Sequence, residues 1–553
     1  MKPFSPSLLM LALLSSLSAY AAPVAPDAGQ TIRELQNQPV FTPPAKAATP
    51  LQLEAESKRT AGGDAVRIEV KAVRVTGNRV ATTAELETLV ADLVGERSLA
   101  ELDAGAARIT AWYRQRGYAV ARAYLPAQEI KDGVVVVNVL EGVLGQARVV
   151  NQSRLSDDRA NAYLGMLSAG DAVQEKSVNR ALLLLNDVSG VGGARATLQP
   201  GASVGTSDLI VQLDPSAPYS GSVELDNYGN RYTGENRLGG ELTLNSPLQL
   251  GDQLSLRALT SNQDMQYVRV AYQLPVGGNG LKLGVGYSDT RYYLGKEFAI
   301  LQAHGTASNT SLFATYPIIR SPATNLHATL TWERKALVDQ IDVLIDRTDR
   351  QVQLFNLGMV GKQQDARGIS LLDLALVSGN LSMDAATLAT DALTAGSNGA
   401  FTRLRYSLIR VQKLTEKVGA SLLFSGQQSN MNLNSSEKFA LGGANGVRAY
   451  PQGEGAGDQG WMANMEVRRY FNNNTVQGIA FYDMGAVQLN RNPFNTAANN
   501  RNIAGVGFGL NAETGALKFK TYVAWRTQGG QALTESAAAS RNPRIWLQMS
   551  GAF

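Results

Sequence analysis

The chain has no cysteine and only two histidines, His304 and His327. The first absence excludes a disulfide scaffold and thiol chemistry. The second leaves a zinc site or an imidazole-based catalytic set short of its usual donors. Long apolar runs are missing too. Beyond the N-terminus the best is Ala181-Leu182-Leu183-Leu184-Leu185, far below the ~18 residues that a helical membrane span requires. Charged residues make up 18 % of the 553 positions, under the usual ~25 %. The net charge of +4 is too small in so long a chain to imply a nucleic-acid partner.

Residues 1–21 read as a secretory signal: Lys2 opens it, an apolar run spans 8–14, and Ala19-Tyr20-Ala21 offers small residues for cleavage. The run is too short for a membrane anchor, and no stop-transfer pattern follows. An exported chain of this length is periplasmic, secreted or a barrel in the outer membrane. Within segment 22–37, Pro26 and Asp27 suit the first turn of a helix, and Ile32 with Leu35 gives it a narrow apolar side. Segment 38–66, with Pro39, Pro43, Pro44 and Pro50, is too poor in apolar surface to order itself and reads as a flexible linker.

Two copies of one unit follow, at 67–144 and 145–215. The first reads as a strand over 68–75, a capping box Thr82-x-x-Glu85 opening a helix that stops at Gly95, and a second helix with Leu102, Ile109 and Tyr113 inward. Strands over 118–125 and 134–140 close it. The second copy repeats the order, with a strand at 147–150, helices at 157–167 and 173–186, and strands at 194–198 and 208–213. Each is therefore β-α-α-β-β, a small sheet with two helices on one face.

From about Ser216 to the end the periodicity changes to two. Val268, Val270, Tyr272 and Leu274 alternate with Arg269, Ala271 and Gln273; Leu517, Phe519, Thr521, Val523 and Trp525 repeat the pattern late in the chain. A soluble sandwich alternates in the same way. The segments approach the roughly 9–11 residues of a tilted membrane strand, and aromatics recur near their ends, which favours a lipid-facing barrel. The last strand puts Ile545, Leu547, Met549, Gly551 and Phe553 on one face, and terminal Phe553 suits a signal to barrel-assembly machinery. At roughly 20 residues per strand and loop, 216–553 accommodates about 16 antiparallel strands.

Two motifs mislead. Gly201-Ala202-Ser203-Val204-Gly205 matches the hydrolase elbow but lies between two strands, without the strand–turn–helix setting. The glycine-rich stretch 442–460 has no Gly-Lys-Ser/Thr ending, so it holds no phosphate loop. No catalytic residue, cofactor or metal is expected.

The remaining motifs resemble one family, the two-partner secretion transporters (TpsB proteins), over essentially the whole mature chain. Gly117-Tyr118, the run Ala123-Tyr124-Leu125-Pro126-Ala127-Gln128 and Glu141-Gly142 resemble a first POTRA unit. Asp226-Asn227-Tyr228-Gly229 is similar to the family's first barrel hairpin. Leu441-Gly442-Gly443 followed by Val447-Arg448-Ala449-Tyr450 resembles its inward-folding loop (441–460 here), with Ala449 where glycine is usual. Phe481-Tyr482-Asp483-Met484-Gly485 resembles its Phe-x-Asp-x-Gly strand motif. Alternation alone places Tyr482 toward lipid and Asp483 toward the lumen, where Arg448 on a long loop can make a bidentate contact with it.

The resemblance implies a plug helix at 22–37 carrying Ile32 and Leu35, and two periplasmic POTRA domains beneath an outer-membrane barrel. It also implies one large secreted partner of the adhesin, cytolysin or iron-acquisition type. Other partners are outer-membrane lipid and the barrel-assembly machinery. A barrel-assembly factor and a passive porin are the alternative readings; the first usually carries more POTRA units, and the second needs none.

Overall fold

The structure, a computed structural model, describes residues 25–36, 52–53, 67–472 and 475–553. The expected signal at 1–21 and most of the expected linker lie outside the described residues.

In the first unit, strands Arg67–Val70 and Ala72–Thr76 lead into helix Thr83–Thr88. Thr82 and Glu85 form a reciprocal capping box, and Ser98 with Glu101 does the same for helix Leu99–Gln115. Strand Val134–Leu140 lies between Ala72–Thr76 (parallel) and Arg122–Tyr124 (antiparallel). Leu86, Leu102, Ile109 and Tyr113 pack against Val135, Val137 and Val139. The Tyr113 hydroxyl donates to Glu141 (2.7 Å), which also accepts from the backbone N–H groups of Arg79 and Val80. Burial, reinforced by that carboxylate, pushes the Tyr113 phenol up. The strand expected over 118–125 shortens to Arg122–Tyr124, because Tyr118 N–H returns to the Tyr113 carbonyl and Ala121 N–H to Tyr118, tightening the helix exit into turns.

The second unit begins at Val143, two residues before the expected boundary. Gly142 turns the chain at φ +72°, and strand Val143–Asn151 follows, its register shifting between Leu144 and Ala147. Helices Asp157–Leu164 and Glu175–Asn186 and strands Val191–Pro200 and Thr206–Pro215 complete it. Its sheet gains a fourth member from the linker: Gln52–Leu53 pairs parallel with Thr197 and Leu198. Composition alone does not reveal this pairing, because the edge Val191–Pro200 supplies the hydrogen-bonding groups. Ser203 sits in the turn between the last two strands, donating and accepting hydrogen bonds with Thr206.

The barrel closes through sixteen antiparallel strands, from Tyr219–Asp226 to Arg544–Ala552, with the first paired to the last. Strand length rises from 8 residues in the first to 20 in the eighth, Asp346–Asp365, so one wall is taller than the seam. Large apolar side chains point outward: Leu225, Val268, Leu330, Phe355, Leu374, Phe508 and Ile545 are all exposed. Lys335, Arg403, Glu437 and Asp483 are buried inside. A soluble sandwich buries its apolar face; this one turns it outward, which only lipid can cover.

The second unit is clamped to the turns at one end of the barrel. Arg320, at the end of the sixth strand Ala303–Arg320, grips Asp187 with two bonds of 2.6 and 2.8 Å. Lys282 donates to the Asp187 carbonyl, Arg180 to that of Pro317, and Arg154 to that of Asn245. At Gly278 a Cβ would come within 2.0 Å of the Ala162 carbonyl oxygen, so only glycine permits so close an approach.

Candidate functional site in the barrel lumen

Two bodies fill the lumen: the loop 430–458 and the helix Ala28–Gln36. The loop leaves the eleventh strand, Val418–Ser429, and returns into the twelfth, Gln459–Phe471. Its neck is narrow. Phe439–Ala440 pairs with Ala456–Gly457, and the N–H groups of Leu441 and Gly442 both reach the Glu454 carbonyl. Val447 N–H bonds to the Leu441 carbonyl and Tyr450 N–H to that of Val447, folding the tip into a tight turn with Arg448 at its apex.

Arg448 spends every nitrogen. Nε and Nη2 donate to the two oxygens of Asp483 at 2.8 and 2.7 Å, Nη1 donates to Glu466 at 2.7 Å, and its backbone N–H adds a third bond to Asp483. The guanidinium carbon lies 3.5 Å from the centre of the Phe481 ring and 5.0 Å from that of Tyr522. Asn464, directly opposite Asp483 in the ladder, donates both to that carboxylate and to the Gly446 carbonyl. Asp483 therefore accepts four hydrogen bonds in full burial, which offsets the cost of desolvating its charge.

The thirteenth strand, Val476–Gln488, positions this set by alternation. Phe481, Asp483 and Gly485 face inward, while Tyr482 faces out. At Gly485 a Cβ would meet Leu441 at 2.6 Å, so the glycine leaves room for the loop neck. Val447 and Tyr450 are fully buried, and the Tyr450 hydroxyl bonds to the carbonyls of Gln528 and Gly530. Ala449 fits because Gly505 faces it: a Cβ there would lie 2.4 Å from the alanine methyl. Glu466, Asn464 and Tyr522 escaped the sequence reading. Glu466 carried a weak signal, since it alternates with Asn464 and Arg468 on one polar face.

The helix is held differently. Ala28, Ile32 and Leu35 are buried in a cluster with Tyr232, Leu259, Tyr267 and Leu433. At its start Asp27 accepts from Arg350 (2.8 Å) and from Ser435 Oγ (2.7 Å), and Ala28 N–H donates to Asp339. Arg350 and Tyr292 also bond to Asp339. Two carboxylates thus face the positive end of the helix dipole. Arg33 reaches the Ser435 carbonyl at 2.7 Å, and a Cβ on Gly29 would lie 2.2 Å from Ser435 Oγ. Ser435 belongs to the loop stem, where buried Glu437 is bonded by Lys335 (2.7 Å) and Arg403. Terminal Phe553 is exposed, and its backbone exchanges two 3.0 Å hydrogen bonds with Gly221 of the first strand.

Comparison with known proteins agrees with this architecture. Residues 205–512 match the family profile described as haemolysin secretion/activation protein ShlB/FhaC/HecB. Residues 68–142 match the POTRA domain, ShlB-type. The heme/hemopexin transporter protein HuxB of Haemophilus influenzae (strain 86-028NP) is 28 % identical over 96 % of this chain and 95 % of its own length. The outer membrane transporter CdiB of Escherichia coli O6:K15:H31 is 23 % identical, covering 83 % of this chain and 80 % of its own. The solved structure of CdiB from Escherichia coli superposes with a TM-score of 0.71 at 19 % identity, over the full length of both chains. With the first profile spanning more than half of its length, the chain belongs to the ShlB/FhaC/HecB family of two-partner secretion transporters, outer-membrane barrels that carry periplasmic POTRA domains.

Proposed function

We propose that this transporter exports one large partner protein, caught in the periplasm by its POTRA domains and passed through the barrel to the cell surface. The division of labour follows the chain: a signal at 1–21, a plug at 22–37, a linker at 38–66, capture by the two units, and transit through 216–553. The observation that carries the reading is the lumen itself. Its stopper is a nine-residue helix near the N-terminal end of the chain, bound by side chains rather than built into the wall. A stopper tethered at one end can leave and return.

Capture would use strand addition to an exposed sheet edge. The edge Val191–Pro200 is held by Gln52–Leu53, so a partner strand joining there displaces the segment that follows the plug. The chain carries no nucleotide-binding motif, so folding of the partner outside would draw it outward. Among adhesins, cytolysins and iron-acquisition proteins we favour the last, a choice in keeping with the likeness to a relative described as a heme/hemopexin transporter protein. Arg448, Asp483, Val447, Tyr450, Phe481 and Gly485 act in this reading as the fixed inner wall of the path, with no catalytic role.

The test compares surface and medium proteins by mass spectrometry with and without this gene. Loss of one large exoprotein is the expected result. Loss of many barrel proteins would make the chain an assembly factor, and no loss would make it a porin.

A further inference from the structure

The barrel is weakest where it closes. Its first and last strands pair over only five residues, Ser222 to Asp226 against Ala552 to Gln548, whereas the ladders on either side run for eight. Both ends of this short ladder are supplemented. At one end Gly221 and Phe553 exchange backbone hydrogen bonds. At the other, Asn227 N–H donates to the Leu547 carbonyl at 3.2 Å and its side chain completes the rung: Nδ2 donates to the Ile545 carbonyl at 2.9 Å, and Oδ1 accepts from Leu547 N–H at 2.8 Å.

A third device lies inside. Trp546 on the last strand is 2 % exposed, and its indole N–H donates to the backbone carbonyl of Arg448 at 2.7 Å. Its ring meets Tyr228, just beyond the first strand, edge to face with centroids 5.7 Å apart. Ala444 of the loop completes the buried cluster. Tyr228 is anchored in turn, its N–H donating to Asp226, whose carboxylate is paired with Arg237. An indole can only donate, so burying it away from water requires an acceptor. Here that acceptor comes from the loop tip.

We propose that the inward-folded loop braces the barrel seam from within, and that Trp546 is the positioning residue linking loop tip to seam. The tip holds Trp546, Trp546 holds Tyr228, and the first and last strands stay zipped while a chain passes. Any displacement of the tip strands a buried donor beside the shortest ladder, so tip position and seam closure are coupled in both directions. The polypeptide in transit is thereby confined to the lumen rather than released sideways into lipid.

The experiment uses the full-length protein in outer membranes and in detergent. W546F keeps an aromatic ring against Tyr228 and removes only the donor. Glu224 and Ser550 face one another across the seam, and because the chain has no cysteine, the pair Glu224→Cys and Ser550→Cys introduces a unique cross-link. The expected result is that W546F lowers the barrel's unfolding temperature on gels and reduces export several-fold, and that oxidising the pair restores both. Wild-type behaviour of W546F, or defects that the cross-link leaves in place, would overturn the proposal.

A second arm does not need the tryptophan variant to fold. In R448A, amides of 222–226 and 545–549 should exchange with deuterium up to about tenfold faster, while the ladder between the sixth and seventh strands is unaffected. Equal protection at the two places would overturn the brace. Export readouts rest on the transport reading; exchange and unfolding temperature need no partner, so the two can fail separately.

Discussion

The loop tip and the helix Ala28–Gln36, the plug of the proposed reading, occupy the same lumen and both hang on arginine–carboxylate pairs, yet they are built to different standards. Arg448 has all three side-chain nitrogens bonded, and Asp483 accepts four bonds; the leftover at the tip is the Asn464 amide oxygen. Around the helix, Arg33 Nε and Nη2 and Arg350 Nε are buried without a hydrogen-bond partner among the described residues. Each such orphan costs about 1–3 kcal/mol relative to a satisfied group. The loop is tied to the wall at both ends through strands Val418–Ser429 and Gln459–Phe471, whereas the helix Ala28–Gln36 belongs to no wall strand. A well-satisfied, doubly anchored part belongs to the resting wall; an under-satisfied one held by side chains is, in the transport reading proposed above, the part suited to leaving.

The largest expected effect breaks the better-built side. Asp483→Ala leaves Arg448 buried with Glu466 alone, and deleting one partner of a buried pair costs roughly 3–5 kcal/mol. The unfolding temperature of the barrel on unboiled gels should fall markedly and export should be nearly abolished. Asp483→Asn keeps the shape and should fall in between. Unchanged unfolding with either variant would remove the tip from the structural wall and erase the contrast with the plug.

Arg350→Ala strikes the weaker side. It takes the cation away from Asp27 and Asp339, which then oppose one another at the start of the helix. Losing hydrogen bonds between charged groups costs about 1.5–3 kcal/mol, and each 1.4 kcal/mol is tenfold in occupancy. The plug should leave the lumen roughly 10- to 100-fold more often, read as larger conductance in planar bilayers, with barrel unfolding almost unchanged. If unfolding temperature falls as far as in Asp483→Ala, the helix is part of the wall and the distinction collapses.

How much of this was legible in the sequence depends on the range of the interaction. Alternation along 216–553 reports a single strand's two faces, so the barrel and the inward side of Asp483 could be read locally. The capping boxes at Thr82 and Ser98 each span three residues and are equally local signals. Partners across a closed barrel are another matter. Trp546 meets Arg448 from 98 positions away, and Asp27 reaches Arg350 and Ser435 across 323 and 408. Such pairs are set by the register of many ladders, which no local pattern encodes. The same reason hid the parallel pairing of Gln52–Leu53, where the hydrogen-bonding edge lies in another unit.

The smallest expected effect asks whether plug and loop move as one. Ser435 is in the loop stem, yet it touches the helix twice: its hydroxyl donates to Asp27 and its carbonyl accepts from Arg33. Ser435→Ala removes only the first of these, a single bond to a carboxylate at the lower end of about 1.5–3 kcal/mol, and Asp27 retains Arg350 and the Gln30 N–H. Plug occupancy should therefore drop several-fold, less than with Arg350→Ala, while the tip around Arg448 stays protected from deuterium exchange. Because Asp27 is shared by Ser435 and Arg350, the double variant should depart from additivity in bilayer conductance. If Ser435→Ala also loosens the tip, helix and loop form one body, and departure of the plug would then reach the seam through Arg448 and Trp546.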